Sequence, residues 1–355
     1  MNSCYVQRAT NLLNMTMIER HSATGHAAYH DVLRSLGDDA VSAIRGTPTR
    51  VVRNEKVYWY DTYRVGSDVR KTYIGEETPA LLSRLDKLRD LRSQTEERRK
   101  HRTRLIRILR AEGYLSVDAA TGSLISAMAT AGTFRLGGTI VGTNAFRLYE
   151  GVLGVRLGFD QMAQTGDIDI ASFERLSLAL EDVVAPPVQK ILSDFAFEEV
   201  PALRGEGTWR WRQTRNDLLV EFLTPSFDEA EGTRPLAALG TYAKALHHLN
   251  YLIAEPIPAA ALYRSGVLVR VPRPERFAIH KLIVADRRRD GPDSLKAAKD
   301  RMQAAFLIEV LAEDRPDELA EAYEDAMAQG ARWRERIGSS LRRMPAENDR
   351  LSRLI

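Results

Sequence analysis

The stretch "TGDIDIA", Thr165 to Ala171, decides how the rest of the chain is read. Isoleucines at 168 and 170 alternate with aspartates at 167 and 169, the period-two pattern of a half-buried strand. Aspartate is among the residues that strands least favour. Two carboxylates on one strand face, roughly 7 Å apart, also repel each other. A bound cation relieves that repulsion without protonation, so the stretch reads as a metal-holding strand.

The surrounding sequence sets bounds on the whole. The chain has 355 residues, 44% of them hydrophobic and 28% charged, which suits a globular protein with two or three domains. No apolar run approaches the roughly 18 residues of a membrane span, and the N-terminus does not read as a signal peptide. A single cysteine, Cys4, rules out an internal disulfide and a cysteine-rich metal site. A cytoplasmic location with no membrane partner is therefore expected. Net charge is only +3, but within Arg84 to Arg110 arginine and lysine far outnumber the four acids. That segment is a candidate for contact with nucleic acid, against the commoner alternative of a solvated helix face.

Three regions are expected. Residues 1–120 carry an aromatic hairpin, "VYWYDTYRVGSDVRKTYIG" (Val57 to Gly75), and a long basic helix opening near Thr78-Pro79. Residues 121–235 alternate strands and helices: a strand "TFRLGGT", a helix "NAFRLYEGVLG", the D-x-D strand, helices "SFERLSLALEDVV" and "PPVQKILSDF", then strands "GTWRWRQ" and "DLLVEFLTP". Residues 236–355 read as mainly helical, through "AKALHHLNYLIA", "PERFAIHKLIVADRRR" and "SLKAAKDRMQAAFLIEVLAE", with a short strand "GVLVRVP". The fold class is α+β.

Upstream of the aspartates, Gly137-Gly138-Thr139 reads as a strand-to-helix turn whose amides and hydroxyl suit a phosphate. Downstream, Glu221 sits in an apolar strand as a third carboxylate, although pairing with Arg210 or Arg212 across the sheet would also explain it. Asp217 shares its strand parity and is a rival. Three carboxylates can hold one or two magnesium ions together with substrate phosphates. His247 and His248, adjacent on an expected helix, diverge by about 100° and make a poor joint metal site. Trp59 with Tyr58 and Tyr60 reads as hairpin packing, and Arg287 to Arg289 as a surface cluster with some affinity for phosphate.

The ordered run "LGGTIVGTNAFRLYEGVLGVRL…TGDIDIA…LVEFLTP" resembles the DNA polymerase beta-type nucleotidyltransferase superfamily. More narrowly, with "YWYD", "VPRPERFAIHKL" and a late "KD", it resembles the bacterial nucleotidyltransferase-fold protein family, from about Val57 to Leu311. The resemblance implies a polymerase-beta-like core, a small mixed sheet flanked by helices. It implies that Asp167, Asp169 and Glu221 bind magnesium or manganese and are catalytic, and that Gly137, Gly138 and Thr139 hold the nucleotide phosphates. Lys281 and Asp300 match a helix lysine and a later aspartate of toxin-type relatives, so Lys281 is expected to contact the triphosphate. Threonine stands where many members carry serine, and Glu221 where aspartate is usual. The implied function is metal-dependent transfer of a nucleotidyl group from a nucleoside triphosphate (ATP among them) to an acceptor hydroxyl on RNA, protein or a small molecule. A non-catalytic nucleotide- or RNA-binding protein on the same fold, and an RNA-modifying toxin, are the alternatives.

Overall fold

A computed structural model of the chain describes residues 18–41, 46–53, 56–65, 68–157, 165–173, 184–201, 207–215, 218–227, 231–290 and 294–354. Helix α1 (Ala23–Val41) leads into strands β1 (Thr47–Arg53), β2 (Lys56–Val65) and β3 (Asp68–Glu76). These form a three-stranded antiparallel sheet in the order β1-β2-β3, so the expected hairpin has an additional strand on β2. Trp59 is buried there, its Nε1 donating to Glu77 at 2.9 Å. The long basic helix α2 (Pro79–Ala111) follows, with Thr78 as its N-cap accepting from the Leu81 amide at 3.1 Å. Leu105, Ile106 and Leu109 are buried, and Arg102 is pinned beneath the helix by Asp39 at 2.6 Å. Lys100, Arg104 and Arg107 stay exposed along one face.

Next come α3 (Ala119–Ala131), β4 (Thr139–Val141), α4 (Gly142–Leu153) and β5 (Asp167–Ala171). The helix expected over "SFERLSLALEDVV" lies almost wholly outside the described residues, as does Asp217. Beyond are α5 (Val188–Asp194), β6 (Phe197–Glu199), β7 (Arg210–Gln213), β8 (Leu219–Pro225), β9 (Thr233–Leu236) and β10 (Thr241–Leu246). β4 runs antiparallel to β5, β5 parallel to β8, and β8 parallel to β10, which carries β9 on its far edge. β8 shares its second edge: β7 pairs with Leu219 to Glu221, and β10 with Leu223 to Pro225.

Two expectations fail here. The segment "AKALHHLNYLIA" is not one helix. Its first half is β10, a strand whose Ala243 and Ala245 are wholly buried, and only Leu249–Leu252 (α6) is helical. The central sheet therefore continues past residue 235. "TFRLGGT" is not a strand either; residues 132–137 form turns that deliver the chain to β4. The remaining elements are the hairpin β11 (Ile257–Ala261) and β12 (Val267–Val271), then α7 (Pro274–Arg287), α8 (Ser294–Asp314), α9 (Pro316–Ala328), α10 (Ala331–Leu341) and α11 (Pro345–Ser352).

The core explains the alternation of the central strand. Ile168 and Ile170 are wholly buried, packed in one cluster with Ile140, Phe146, Val220 and Phe222. Each such side chain contributes about 1.5–3 kcal/mol, enough to hold a strand whose other face is acidic. The N-terminal helix joins the same core. Tyr29 of α1 is 1% exposed, and its hydroxyl accepts from the Ala260 amide at 3.0 Å. Its ring lies against Gly151 of α4, where a methyl group would overlap it.

Glu150 beside it is buried and held by the Leu115 amide at 2.6 Å and His21 Nε2 at 3.1 Å. Burial pushes the Glu150 carboxyl up to about 7 and the His21 imidazole down to about 4. A raised carboxyl pKa favours the fold below its unfolded value and loses that contribution as pH rises through the folded value. Glu150→Gln should therefore gain stability relative to wild type as pH rises from about 4.5 to 7, by roughly 3 kcal/mol at full extent, readable in urea titrations across that range. Gly151→Ala should lose about 1–3 kcal/mol through overpacking in the same titrations. Gly37→Ala, a helix position where a methyl meets nothing, should be neutral or mildly stabilising.

Candidate active site

Strand register brings the acids together. Asp169 pairs with Glu221 across the parallel β5–β8 ladder, and Asp167 pairs with Leu219. Partners in register project to the same face, so Asp169 and Glu221 stand about 4.8 Å apart at the backbone with Asp167 one step along. On β5's other side Val141 pairs with Asp169, so the end of β4 and the start of α4 adjoin the same carboxylate. The start of β5 is fixed by Asn144 Nδ2 donating to the Asp167 carbonyl at 2.6 Å and by the Asp167 amide donating to Thr165 Oγ1 at 3.1 Å.

The glycine–hydroxyl turn is displaced from where the sequence suggested it. Gly137, Gly138 and Thr139 lead into β4, and Thr139 is a buried strand residue. The strand-to-helix junction is Val141-Gly142-Thr143, one G-T dipeptide further on. Gly142 has φ +64°, and a methyl there would collide with the Asp169 carboxylate. Only glycine lets the backbone turn this close to the acid. Among the described residues no side chain caps α4, whose first-turn amides adjoin Asp169. The sequence signal was present in "TIVGTNAF": a short apolar strand, a glycine–hydroxyl pair, then an amphipathic helix.

Cations surround the acids. Arg210, opposite Glu221 on β7, approaches Glu221 Oε1 with its Nε at 2.7 Å, the cross-sheet pairing that the sequence left open. Lys281 of α7 is buried and donates to Asp300 of α8 at 2.6 Å. Arg288 donates to the other Asp300 oxygen at 2.7 Å. Burial would raise the Asp300 carboxyl, but these two cations outweigh it and hold it below the usual carboxylate range. Gln303 of α8 approaches Thr143 Oγ1 at 3.5 Å, so α8 is anchored at the N-terminus of α4. His247 and His248 lie in the turn after β10, their ring centroids 6.3 Å apart, with His248 packed edge-on against Trp333.

Burial, then Glu221 and Asp167, push the Asp169 carboxyl up to about 7, while Lys281 and Arg288 pull it back. Among the described residues no three His, Cys, Asp or Glu side chains already converge as a metal cage. The donor set nonetheless suits magnesium, which binds through one or two carboxylates plus substrate oxygens. Asp167 and Asp169 would supply them, and Glu221 would join only on leaving Arg210. Because the folded-state pKa of Asp169 is raised, its charge opposes folding increasingly as pH rises from about 4 to 7. Asp169→Asn should therefore be more stable than wild type at pH 8 without metal, by about 4 kcal/mol at full extent, and lose any stabilisation that wild type gains from added magnesium or manganese. Thermal unfolding with and without each ion reads both effects.

Comparison with known proteins finds two family models that match the chain. A family model described as nucleotidyltransferase matches residues 119–328, which contain β4, β5, β8 and the α7–α8 pair. A second, described only as a domain of unknown function, matches residues 27–84, the segment from α1 to the start of α2. No curated protein and no solved structure matches the chain. No helix among the described residues is long and apolar enough to cross a membrane. With more than half its length matched by the model, the chain belongs to the nucleotidyltransferase family.

Proposed function

We propose that the protein is a magnesium-dependent nucleotidyltransferase with a polymerase-beta-like core, which moves a nucleotidyl group from a nucleoside triphosphate to an acceptor hydroxyl. The observation that carries this is the register of β5 against β8, which sets Asp169 beside Glu221, with the uncapped helix at Gly142-Thr143 adjoining. Asp167 and Asp169 would hold the metal, with Glu221 recruited once Arg210 releases it. The ion, when bound, would lower the charge repulsion at the reacting phosphate and polarise the attacking hydroxyl.

The chain's own groups do the rest. The amides of Gly142 and Thr143 and the Thr143 hydroxyl receive phosphate oxygens at the positive end of α4. Thr143 thus takes the place that the sequence reading gave to Thr139. Lys281 and Arg288 supply positive charge on this side, near the departing pyrophosphate. Asp300 fixes both cations, so they act as a positioned pair rather than as flexible arms. Asn144 keeps β5 aligned with the helix, which maintains the distance between phosphate cradle and carboxylates.

Incubation with labelled triphosphates and candidate acceptors tests the reading. Asp167→Ala and Asp169→Ala should each lower transfer by about 100-fold or more, and Thr143→Val should weaken triphosphate binding more than Thr139→Val does. If wild type binds no triphosphate in the presence of magnesium or manganese, the proposal fails. The ion pair between Arg210 and Glu221 favours one second reading, a nucleotide-binding protein without turnover. Triphosphate bound with no pyrophosphate released would select it.

A further inference from the structure

On the far side of Glu221 from the helix N-terminus, beside Arg210, stand an indole and a lysine that the proposed reaction leaves without a role. Trp209 directly precedes β7, and its carbonyl accepts from the Phe222 amide at 2.8 Å, fixing its backbone beside the Arg210–Glu221 pair. Its side chain is only partly buried, unlike Trp211, which is 4% exposed within the core. The Arg210 guanidinium carbon lies 4.5 Å from the Trp209 ring centroid. Lys244 Nζ lies 5.4 Å from the same centroid. Lys244 reaches it from β10, where pairing with Leu223 sets it on the face that carries Glu221. Gly207, at φ +79°, rests against the Tyr242 ring so closely that a methyl group would overlap it, and this seats the Trp209 segment on that face.

An indole serving only to fill space is packed among apolar side chains. This one is faced by cations and left partly open. Unpaired bases stack on indoles and on guanidinium planes, and lysine pairs with the phosphates that join them. Direction follows from the reaction. In-line displacement places the attacking and departing oxygens on opposite sides of the phosphorus. The uncapped helix, Lys281 and Arg288 take up the departing side, next to β4 and β5. The acceptor then approaches over β8, β7 and β10, where Trp209 stands.

We infer that Trp209, Arg210 and Lys244 form the acceptor subsite, and that the acceptor is the terminal nucleotide of a single-stranded nucleic acid. Its base stacks on the Trp209–Arg210 tier and its phosphate pairs with Lys244; the inference rests on the nucleotidyl transfer proposed above. The terminal hydroxyl oxygen bonds to the α-phosphorus of the triphosphate while the bond from that phosphorus to the α–β bridging oxygen breaks. Pyrophosphate departs with the electron pair, and the hydroxyl proton passes to an adjacent carboxylate.

The test is anisotropy of a short labelled oligoribonucleotide on the full chain, in EDTA and without triphosphate, beside calorimetry of magnesium-ATP on the same proteins. Trp209→Ala should weaken oligonucleotide binding by about tenfold, while Trp209→Phe, which keeps a stacking ring, stays within about threefold of wild type. Lys244→Gln should weaken it and reduce the salt slope by about one counterion. Magnesium-ATP affinity should stay within about twofold in all three. Unchanged oligonucleotide affinity in Trp209→Ala and Lys244→Gln, or no binding by wild type, overturns the inference. Loss of magnesium-ATP binding in Trp209→Ala also overturns it, by placing the donor base on the indole. Wild type that binds oligonucleotide but not magnesium-ATP refutes the transfer reaction instead. Lys244→Gln, at a partly exposed position, decides the matter if Trp209→Ala does not fold.

Discussion

Like charges cannot share a small patch of a sheet without compensation, and the central sheet of this protein places three carboxylates on adjoining positions of two paired strands. The arrangement around them follows from that constraint. Arg210 pairs with Glu221. Lys281 and Arg288, tied together by Asp300, offset part of the repulsion at Asp169 and pull its carboxyl pKa down. The uncapped N-terminus of α4 adds a partial positive charge beside the same group. What stays uncompensated is visible in the Asp169 carboxyl, pushed up to about 7. A cation held there, as the proposed reaction requires, would relieve that penalty.

The compensation is divided in a way that matters for chemistry. The Lys281–Arg288 pair is held rigidly by a shared buried carboxylate, a design suited to a fixed electrostatic background. Arg210 is held by Glu221 itself and by the Trp209 ring, so anything that draws Glu221 towards a metal leaves Arg210 resting on the indole. One side of the site is preorganised and the other is exchangeable. That asymmetry matches a reaction in which the phosphate end of one substrate is always the same and the second substrate has to be admitted.

The acidic strand was legible because its signal is local: two isoleucines alternating with two aspartates state both the strand and its buried face. β8 was legible for the same reason, with Glu221 interrupting an apolar run. The glycine–hydroxyl turn was misplaced by four residues because "GGT" and "VGT" both offer glycine before threonine. What separates them is the three-residue strand Thr139–Val141, too short for a periodicity argument, and its pairing with β5 is a long-range fact. β10 was hidden for a related reason. "AKALHHLNYLIA" satisfies a helical pattern, but a free edge on β8 beyond Glu221 recruits its first half into the sheet, and tertiary pairing overrides local propensity. Lys281 was placed by resemblance; its ion pair with Asp300 depends on two helices docking, which spacing alone does not reveal. The role of Arg210 was weighed only as a way of discounting Glu221, whereas the geometry makes it part of the site.

The contact between Tyr29 and Gly151 reaches beyond packing. The two family matches, residues 27–84 and 119–328, look on paper like separable modules joined by a helix. Yet the first supplies the aromatic ring that fills the notch in α4, and α4 is the helix whose opposite end faces Asp169. The second segment therefore does not carry its own complete interior. A chain that exchanged its N-terminal region for an unrelated one would inherit α4 with an empty socket. The boundary drawn by sequence similarity is, physically, a seam through the middle of one core.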